Sequence, residues 1–456
     1  MEVQNRAIIN QAFNADERSV EMKLEVYFTD TPLVITGEDY LISMSILEEL
    51  SGDTTGIYGA LVANELSFTL YNETDIFTPA NINSPYYGKI ETNVKVKVYI
   101  REAIQQATWQ CIGTYFVTDW KSSQVSKTAD VVCHDRLYTL MRGEPMRTKI
   151  RYDVPVGVFL AEIFTHMGLT SAEYSIDESL NNAIIPYAYA LNGEIVSTLD
   201  GLMKAYLFYI YVDREGILCV KDARQFTDPI MTLTDEDQIL DCNVQKSLAG
   251  SYSSVSVECR TLEPITEATL LSVTQDVPNG GVTVTDSNRD GIIVGVDYVA
   301  IESTQDRVTF GSMDYDASNL SITLKNPGTA KSSTSIKVIG SQLAVSLKTE
   351  YKQTNSQQLA RIGERPLSVQ GEYITTSDVA QRLLARVYAF ISNTSPYVDL
   401  TTRGNPAIQI GDIIQISSAV DNIYLEGLVW SQSFDYNGSL TCRITCIDTN
   451  ALGEVS

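Results

Sequence analysis

Trp109-Gln-Cys-Ile-Gly-Thr-Tyr-Phe-Val-Thr-Asp-Trp120, a polar loop Lys121-Ser-Ser-Gln-Val-Ser-Lys-Thr128, and Ala129-Asp-Val-Val-Cys-His-Asp-Arg-Leu137 decide how this chain folds. From Gly113 to Trp120 and from Val131 to Cys133 the residues read as strands, and the loop between them is built of turn formers. A strict period of two runs through Val94, Val96, Val98 and Ile100, which alternate with Lys95, Lys97 and Tyr99. It recurs in Val20, Met22, Leu24, Val26 and Phe28. Short strands parted by turn clusters predict a barrel or sandwich, so residues 1–145 read as one β domain. Residues 1–18 show no firm period and read as an arm that orders only in an assembly.

Past Pro155 the period changes. Val156, Phe159, Leu160, Ile163, Phe164 and Met167 share one face of a helix, with Gly168 as its stop. A second helix is predicted from Glu194 to about Tyr206, followed by a hairpin of 207–212 and 217–220 turning at Asp213-Arg-Glu-Gly216. Residues 146–239 therefore read as a small α+β domain. Strands return in 240–261 and 346–456, a second β domain, which ends in a hairpin turning at Asp435-Tyr-Asn-Gly438. Inside it one helix is predicted from Ser377, as N-cap, to Ile391. Residues 262–345, rich in Thr, Ser, Asp, Gly and Asn, read as an inserted β module. The fold class is mainly β with an α+β part.

The 456 residues carry 33 Lys+Arg against 57 Asp+Glu, a net charge of -24. That balance opposes a nucleic-acid grip and a basic membrane-binding face. With 44% hydrophobic residues the chain is not disordered, and no apolar run reaches the ~18 residues of a membrane span. No signal peptide is visible, so synthesis in the cytoplasm is expected. Seven cysteines, an odd number, do not describe a disulfide framework, and Cys442-Arg-Ile-Thr-Cys446 lacks the second pair a zinc site needs.

Candidates for chemistry are few. The two histidines, His134 and His166, stand beside no partner that would make a catalytic pair, and both read as structural. No catalytic, phosphate-binding or metalloprotease motif is present. Asp286, Asn288, Asp290, Gly291 and Asp297 have the spacing of a calcium loop at positions 1, 3, 5, 6 and 12. Strand-like flanks and a short Asp at the last position weaken that reading and favour a polar hairpin loop. Tyr86-Tyr87, Tyr187-Ala-Tyr189 and Tyr206 to Tyr211 offer either subunit contacts, the preferred reading, or a carbohydrate platform. No residue is assigned as catalytic, cofactor-binding or metal-binding.

In this order the segments resemble the bacteriophage tail-hub proteins. Gly113-Thr-Tyr-Phe-Val117 followed by Asp135-Arg-Leu137 is similar to their first barrel. The helix and helix-hairpin of 155–220 resemble the small domain after it. Thr402-Arg-Gly-Asn-Pro406, Ile410-Gly-Asp412 and Trp430–Leu440 resemble the close of a second barrel. The resemblance covers most of 40–230 and 370–446. It implies a non-enzymatic homotrimer whose two β-barrels per subunit alternate in a pseudo-six-fold ring. Such a ring is a symmetry adaptor between a six-fold tail tube and a three-fold spike or fibre at the tail tip or baseplate of the virion. The implied partners are the tube or distal tail protein above, the spike or fibre below and the tape measure protein. DNA meets it only in transit during genome ejection, and the membrane is not bound directly. An acidic lumen would repel passing DNA. The alternative is a host-surface glycan-binding tail protein acting through its insertion loops, and a tail-associated hydrolase stands behind both.

Overall fold

The computed structural model describes residues 6–37, 39–52, 57–104, 107–224, 227–236, 238–244, 251–286, 291–303, 308–393 and 397–452. A first helix, α1 (Arg6–Phe13), precedes seven strands: β1 (Val20–Val26), β2 (Leu33–Thr36), β3 (Leu41–Glu49), β4 (Glu65–Tyr71), β5 (Lys95–Glu102), β6 (Gln110–Ser123) and β7 (Thr128–His134). The predicted alternation sets their inner face, where Leu24, Val26, Val96, Val98 and Ile100 are fully buried. Residues 72–94 fold across the end of this layer. There Tyr86 stacks on Phe28 at 5.0 Å, and the Trp120 indole donates to the Phe77 carbonyl at 2.9 Å.

After a short helix α2 (Arg136–Leu140) the α+β part is built from β8 (Arg151–Pro155), α3 (Val156–His166), β9 (Tyr174–Ile176), β10 (Ile184–Ala188), α4 (Ile195–Tyr206), β11 (Phe208–Val212) and β12 (Leu218–Asp222). Gly168, at φ +85°, ends α3 in the left-handed conformation glycine adopts without penalty. Both predicted helices and the hairpin are present.

The remaining strands are β13 (Thr232–Thr234), β14 (Ile239–Val244), β15 (Ser254–Val277), β16 (Val282–Asp286), β17 (Ile292–Ser303), β18 (Thr309–Tyr315), β19 (Leu320–Lys325), β20 (Ser332–Thr354), β21 (Pro366–Val369), β22 (Tyr397–Thr402), β23 (Ile413–Ser418), β24 (Ile423–Tyr436) and β25 (Leu440–Asp448). Helices α5 (Ser356–Ile362), α6 (Ser377–Ser392) and α7 (Thr449–Leu452) lie among them. The N-cap of α6 is Thr376, whose hydroxyl accepts from the Val379 amide at 3.3 Å, and not Ser377, which is the first helical residue. The 262–345 stretch grows out of one ribbon, because β15 and β20 pair over almost their whole length with three register shifts. It has its own core around Leu270, Leu320, Ile322, Leu324 and Val338.

The main sheet has 13 strands among the described residues, in the order β14-β22-β25-β24-β3-β4-β7-β6-β5-β1-β2, with β23 and β13 branching from β24. The chain is mainly β with an α+β part, as its periodicity predicts. Among the described residues no strand ladder closes into a barrel. Instead β24 pairs with β3, from Ser431 opposite Glu49 to Tyr436 opposite Met44, and fuses the N- and C-terminal strands into one sheet.

The N-terminal residues depart from the expected arm. Ile9, Ala12 and Phe13 of α1 are buried against the chain's own core. Arg6 pairs with Asp412 at 3.2 Å, and the Asn405 side chain donates to Asn10 at 2.7 Å. An eight-residue helix is too short for a firm period, so only its docking partner reveals it.

Candidate functional site

Strand pairing aligns the outward residues of the fused sheet into continuous rows. One row runs Thr441, Asp435, Ser45, Ser67, Val132 and Asp119 across β25, β24, β3, β4, β7 and β6. The next runs Arg443, Ser433, Leu47, Glu65 and His134. Beyond it Asp399, Thr445, Ser431 and Glu49 are aligned. Side chains two apart on a strand share a face, so these rows form one polar surface crossing from the C-terminal to the N-terminal strands.

Hydroxyls and carboxylates on this surface bond to each other. Ser45 donates to Asp435 at 2.7 Å, Thr445 to Asp399 at 2.7 Å and Thr69 to Asp130 at 2.8 Å. Asp119, Asp130, Asp399, Asp435, Glu49 and Glu65 face Arg443 and Lys121, so carboxylates outnumber cations. Burial, and then the charge of Glu65, push the Glu49 carboxyl above its usual range. Where the surface crosses β24, β3, β4 and β7 it forms a trough of about 350 Å³.

Beneath it lies a buried ion pair. Arg214 Nε and Nη2 donate to Glu48 Oε1 and Oε2 at 3.1 and 3.0 Å, and both side chains are 6% exposed. Arg214 also donates to the carbonyls of Pro406 at 2.6 Å and Ile408 at 2.8 Å, while Gln432 Nε2 donates to Glu48 at 2.6 Å. Burial pulls the guanidinium down, but Glu48 outweighs it and raises Arg214 above its ordinary value. Glu48 comes from β3, Gln432 from β24 and Arg214 from the β11–β12 turn, so the pair ties three parts of the chain together. The turn is set by Asp213, whose carboxylate accepts from the amides of Glu215 and Ile217, and by Gly216 at φ +91°.

The motifs that carry the resemblance are joints. A Cβ on Gly113 would lie 2.2 Å from the Tyr115 ring, which requires glycine there. Asp135 caps α2 through the Leu137 amide at 2.8 Å and accepts from the Asn64 amide at 2.9 Å, while Arg136 pairs with Glu173 at 2.9 Å. Within 402–406, the Gly404 carbonyl accepts from Arg18 at 2.8 Å and Pro406 accepts from Arg214.

Burial pushes the Asp135 carboxyl up to about 7, against the pull of three backbone donors. Above its unfolded pKa the native state holds this proton more tightly than the unfolded chain. The contribution of Asp135 to stability is therefore greatest below about pH 4 and falls by up to about 1.4 kcal/mol per pH unit until about pH 7. Asp135→Asn presents an NH2 to one of the backbone donors, a loss of about 1–3 kcal/mol. In urea titrations from pH 4 to 8 the deficit of this variant is expected to shrink as pH rises. A deficit independent of pH would refute a proton held by Asp135 in the native state.

The two histidines have separate surroundings. His134 stacks on Tyr138 at 4.2 Å, approaches Thr118 at 3.0 Å and lies 3.6 Å from Glu65; burial lowers its pKa against the pull of Glu65. His166 is exposed and meets only the Glu144 carbonyl, at 3.2 Å, among the described residues. All seven cysteines are free, and Cys442 and Cys446 are buried on one face of β25. Burial pushes the Cys442 thiol up to about 12. Among the described residues no group of His, Cys, Asp and Glu is placed to hold a metal. Asn288 and Asp290 of the calcium-like loop lie outside the described residues, while Asp286 ends β16 and Asp297 lies within β17. Tyr189, Tyr206 and Tyr209 are core residues, 2%, 4% and 2% exposed, so they serve neither as subunit contacts nor as a carbohydrate platform. No described helix is long and apolar enough to cross a membrane.

The sequence matches no family model and no curated protein. The fold, by contrast, has counterparts among solved structures. The 43 kDa tail protein of prophage MuSo2 from Shewanella oneidensis is 12% identical, with a TM-score of 0.55 over 96% of this chain and 100% of that one. The tail protein from Neisseria meningitidis MC58 is 9% identical, with a TM-score of 0.55 over 96% of this chain and 98% of that one. The fold is that of phage tail proteins. A phage-tail fold is what the resemblance read from the order of the motifs implies.

Proposed function

We propose that this chain is a non-enzymatic structural protein of a phage tail, the central hub of a tail tip or baseplate. Three copies form a ring in which the N- and C-terminal β domains alternate, matching a six-fold tube above to a three-fold spike or fibre below. The domains are residues 1–145, 146–239, 240–261 with 346–456, and the inserted 262–345. The partners are the tube or distal tail protein, the spike or fibre, and the tape measure protein, with DNA only in transit. The chain is made in the host cytoplasm and resides in the virion, without direct membrane binding.

The observation that carries this reading is the polar, net-acidic surface that crosses both β domains within a single sheet. Assigned to the lumen, it gives DNA a hydrated wall without cations to hold it. The buried Glu48–Arg214 pair suits the same role, since it keeps the parts of one subunit in fixed relation under load.

The test is the mass of the purified protein by light scattering over a range of concentrations, with and without the adjoining tail components. The expected mass is three times 50.4 kDa. Strict monomers even with those components present would overturn the hub assignment.

A further inference from the structure

We propose that a cleft between the 146–150 segment and the β18–β19 turn of the inserted module binds an anionic saccharide, one bearing carboxylate or phosphate. This goes beyond the hub role. The cleft has a volume of about 480 Å³. On one wall Thr148 is pinned: its carbonyl accepts from the Ala317 amide at 2.9 Å and its hydroxyl from the Ala190 amide at 2.9 Å. Its neighbours Arg147 and Lys149 are both exposed and line the cleft. Lys149 Nζ lies 4.3 Å from the centre of the Tyr315 ring, and neither cation forms an ion pair among the described residues. In a chain with a net charge of -24, two cations at one cleft that form no ion pair among the described residues are available to an anion from outside.

The opposite wall is a sheet face of hydroxyls ending in one carboxylate. Pairing aligns Asp314, Ser321 and Thr285 across β18, β19 and β16, and Thr285 and Ser321 lie 3.2 Å apart. The neighbouring Asp316 forms no ion pair with either cation among the described residues; its carboxylate is turned to the amides of Ser318 and Asn319 and to the Asn319 side chain, from which it accepts. Asp314 is exposed and forms no ion pair among the described residues.

The combination selects the ligand class. Two cations accommodate an anionic group, Asp314 accepts from hydroxyl donors, and Ser321 and Thr285 both donate and accept. Tyr315 adds an apolar ring with a polar tip. A bare polyanion such as nucleic acid would be opposed by Asp314 and would need more cations than this cleft has. A sugar polymer with sparse charges and many hydroxyls fits both walls.

The experiment is calorimetric titration of the full chain with three probes: tetragalacturonate, a monophosphorylated mannotetraose, and uncharged maltotetraose. Binding of either anionic probe at millimolar or tighter affinity, with none of maltotetraose, is expected, and which probe binds separates a carboxylated from a phosphorylated source. Arg147→Ala with Lys149→Ala should weaken that binding about tenfold or more. Both side chains are exposed, so the melting temperature should hold; if the double variant does not fold, Lys149→Ala alone provides the comparison. No binding of either anionic probe, equal binding of maltotetraose, or unchanged affinity in the variant would overturn the proposal.

Discussion

Arg214→Met is expected to destabilise the chain by about 3–5 kcal/mol, the loss typical when one partner of a buried ion pair is removed. Glu48 would stay buried with only the Gln432 side chain donating to it among the described residues. The carbonyls of Pro406 and Ile408 would lose their Arg214 donors as well. Urea unfolding followed by tryptophan fluorescence measures the change. Because the pair joins β3, β24 and the β11–β12 turn, the variant should also unfold in more than one step. Glu48→Met combined with Arg214→Met should recover much of the loss, because a hydrophobic pair leaves no charge stranded. A single variant within about 1 kcal/mol of the parent would mean that the pair does not bind these parts together.

Phe434→Ala carries the second large effect, about 3–5 kcal/mol for a fully enclosed phenyl ring. Phe434 is 1% exposed and lies between Ile46 and Cys442 in the buried row of the fused sheet. The Arg214 guanidinium also sits 5.7 Å from its ring centre, so the variant weakens the ion pair's surroundings too. Hydrogen exchange offers the sharper reading. Protection should fall together in β3 and β24, although some 390 residues separate them in sequence. Loss confined to β24 and β25 would mean that the two halves of the sheet are energetically independent.

How much of this was legible in the sequence follows from the range of the interactions. Strand alternation in 20–26 and 94–100, the helix at 156–166 and the hairpin turning at Asp213–Gly216 are local, and the structure contains all of them. The fusion of β3 to β24 is not local, since no turn or spacing couples residues so far apart. The polar surface was half visible. Ser43 and Ser45, Ser67 and Thr69, and Ser431 and Ser433 each occupy the outward phase of a strand, but only register aligns them.

The buried pair leaves a signal in the sequence. Glu48 shares the inward phase with Met44 and Ile46, and Gln432 shares it with Trp430 and Phe434. A polar residue in the apolar phase of a strand calls for a buried partner. Arg386 on α6 was hidden in the same way. It falls on the buried face of the helix, where its Nη1 donates to the Leu452 carbonyl at 2.8 Å. The tyrosine clusters divide, with Tyr189, Tyr206 and Tyr209 in the core and Tyr87 52% exposed, because Tyr is at home both in a core and on a contact surface and composition alone does not separate the two.

The most direct test of the central claim is an image of the assembled oligomer at a resolution that places individual strands. Three copies around one axis are expected, with the row Asp435, Ser45 and Ser67 turned toward the central channel. A ring in which that row is buried between subunits, or turned to the outside, would contradict it.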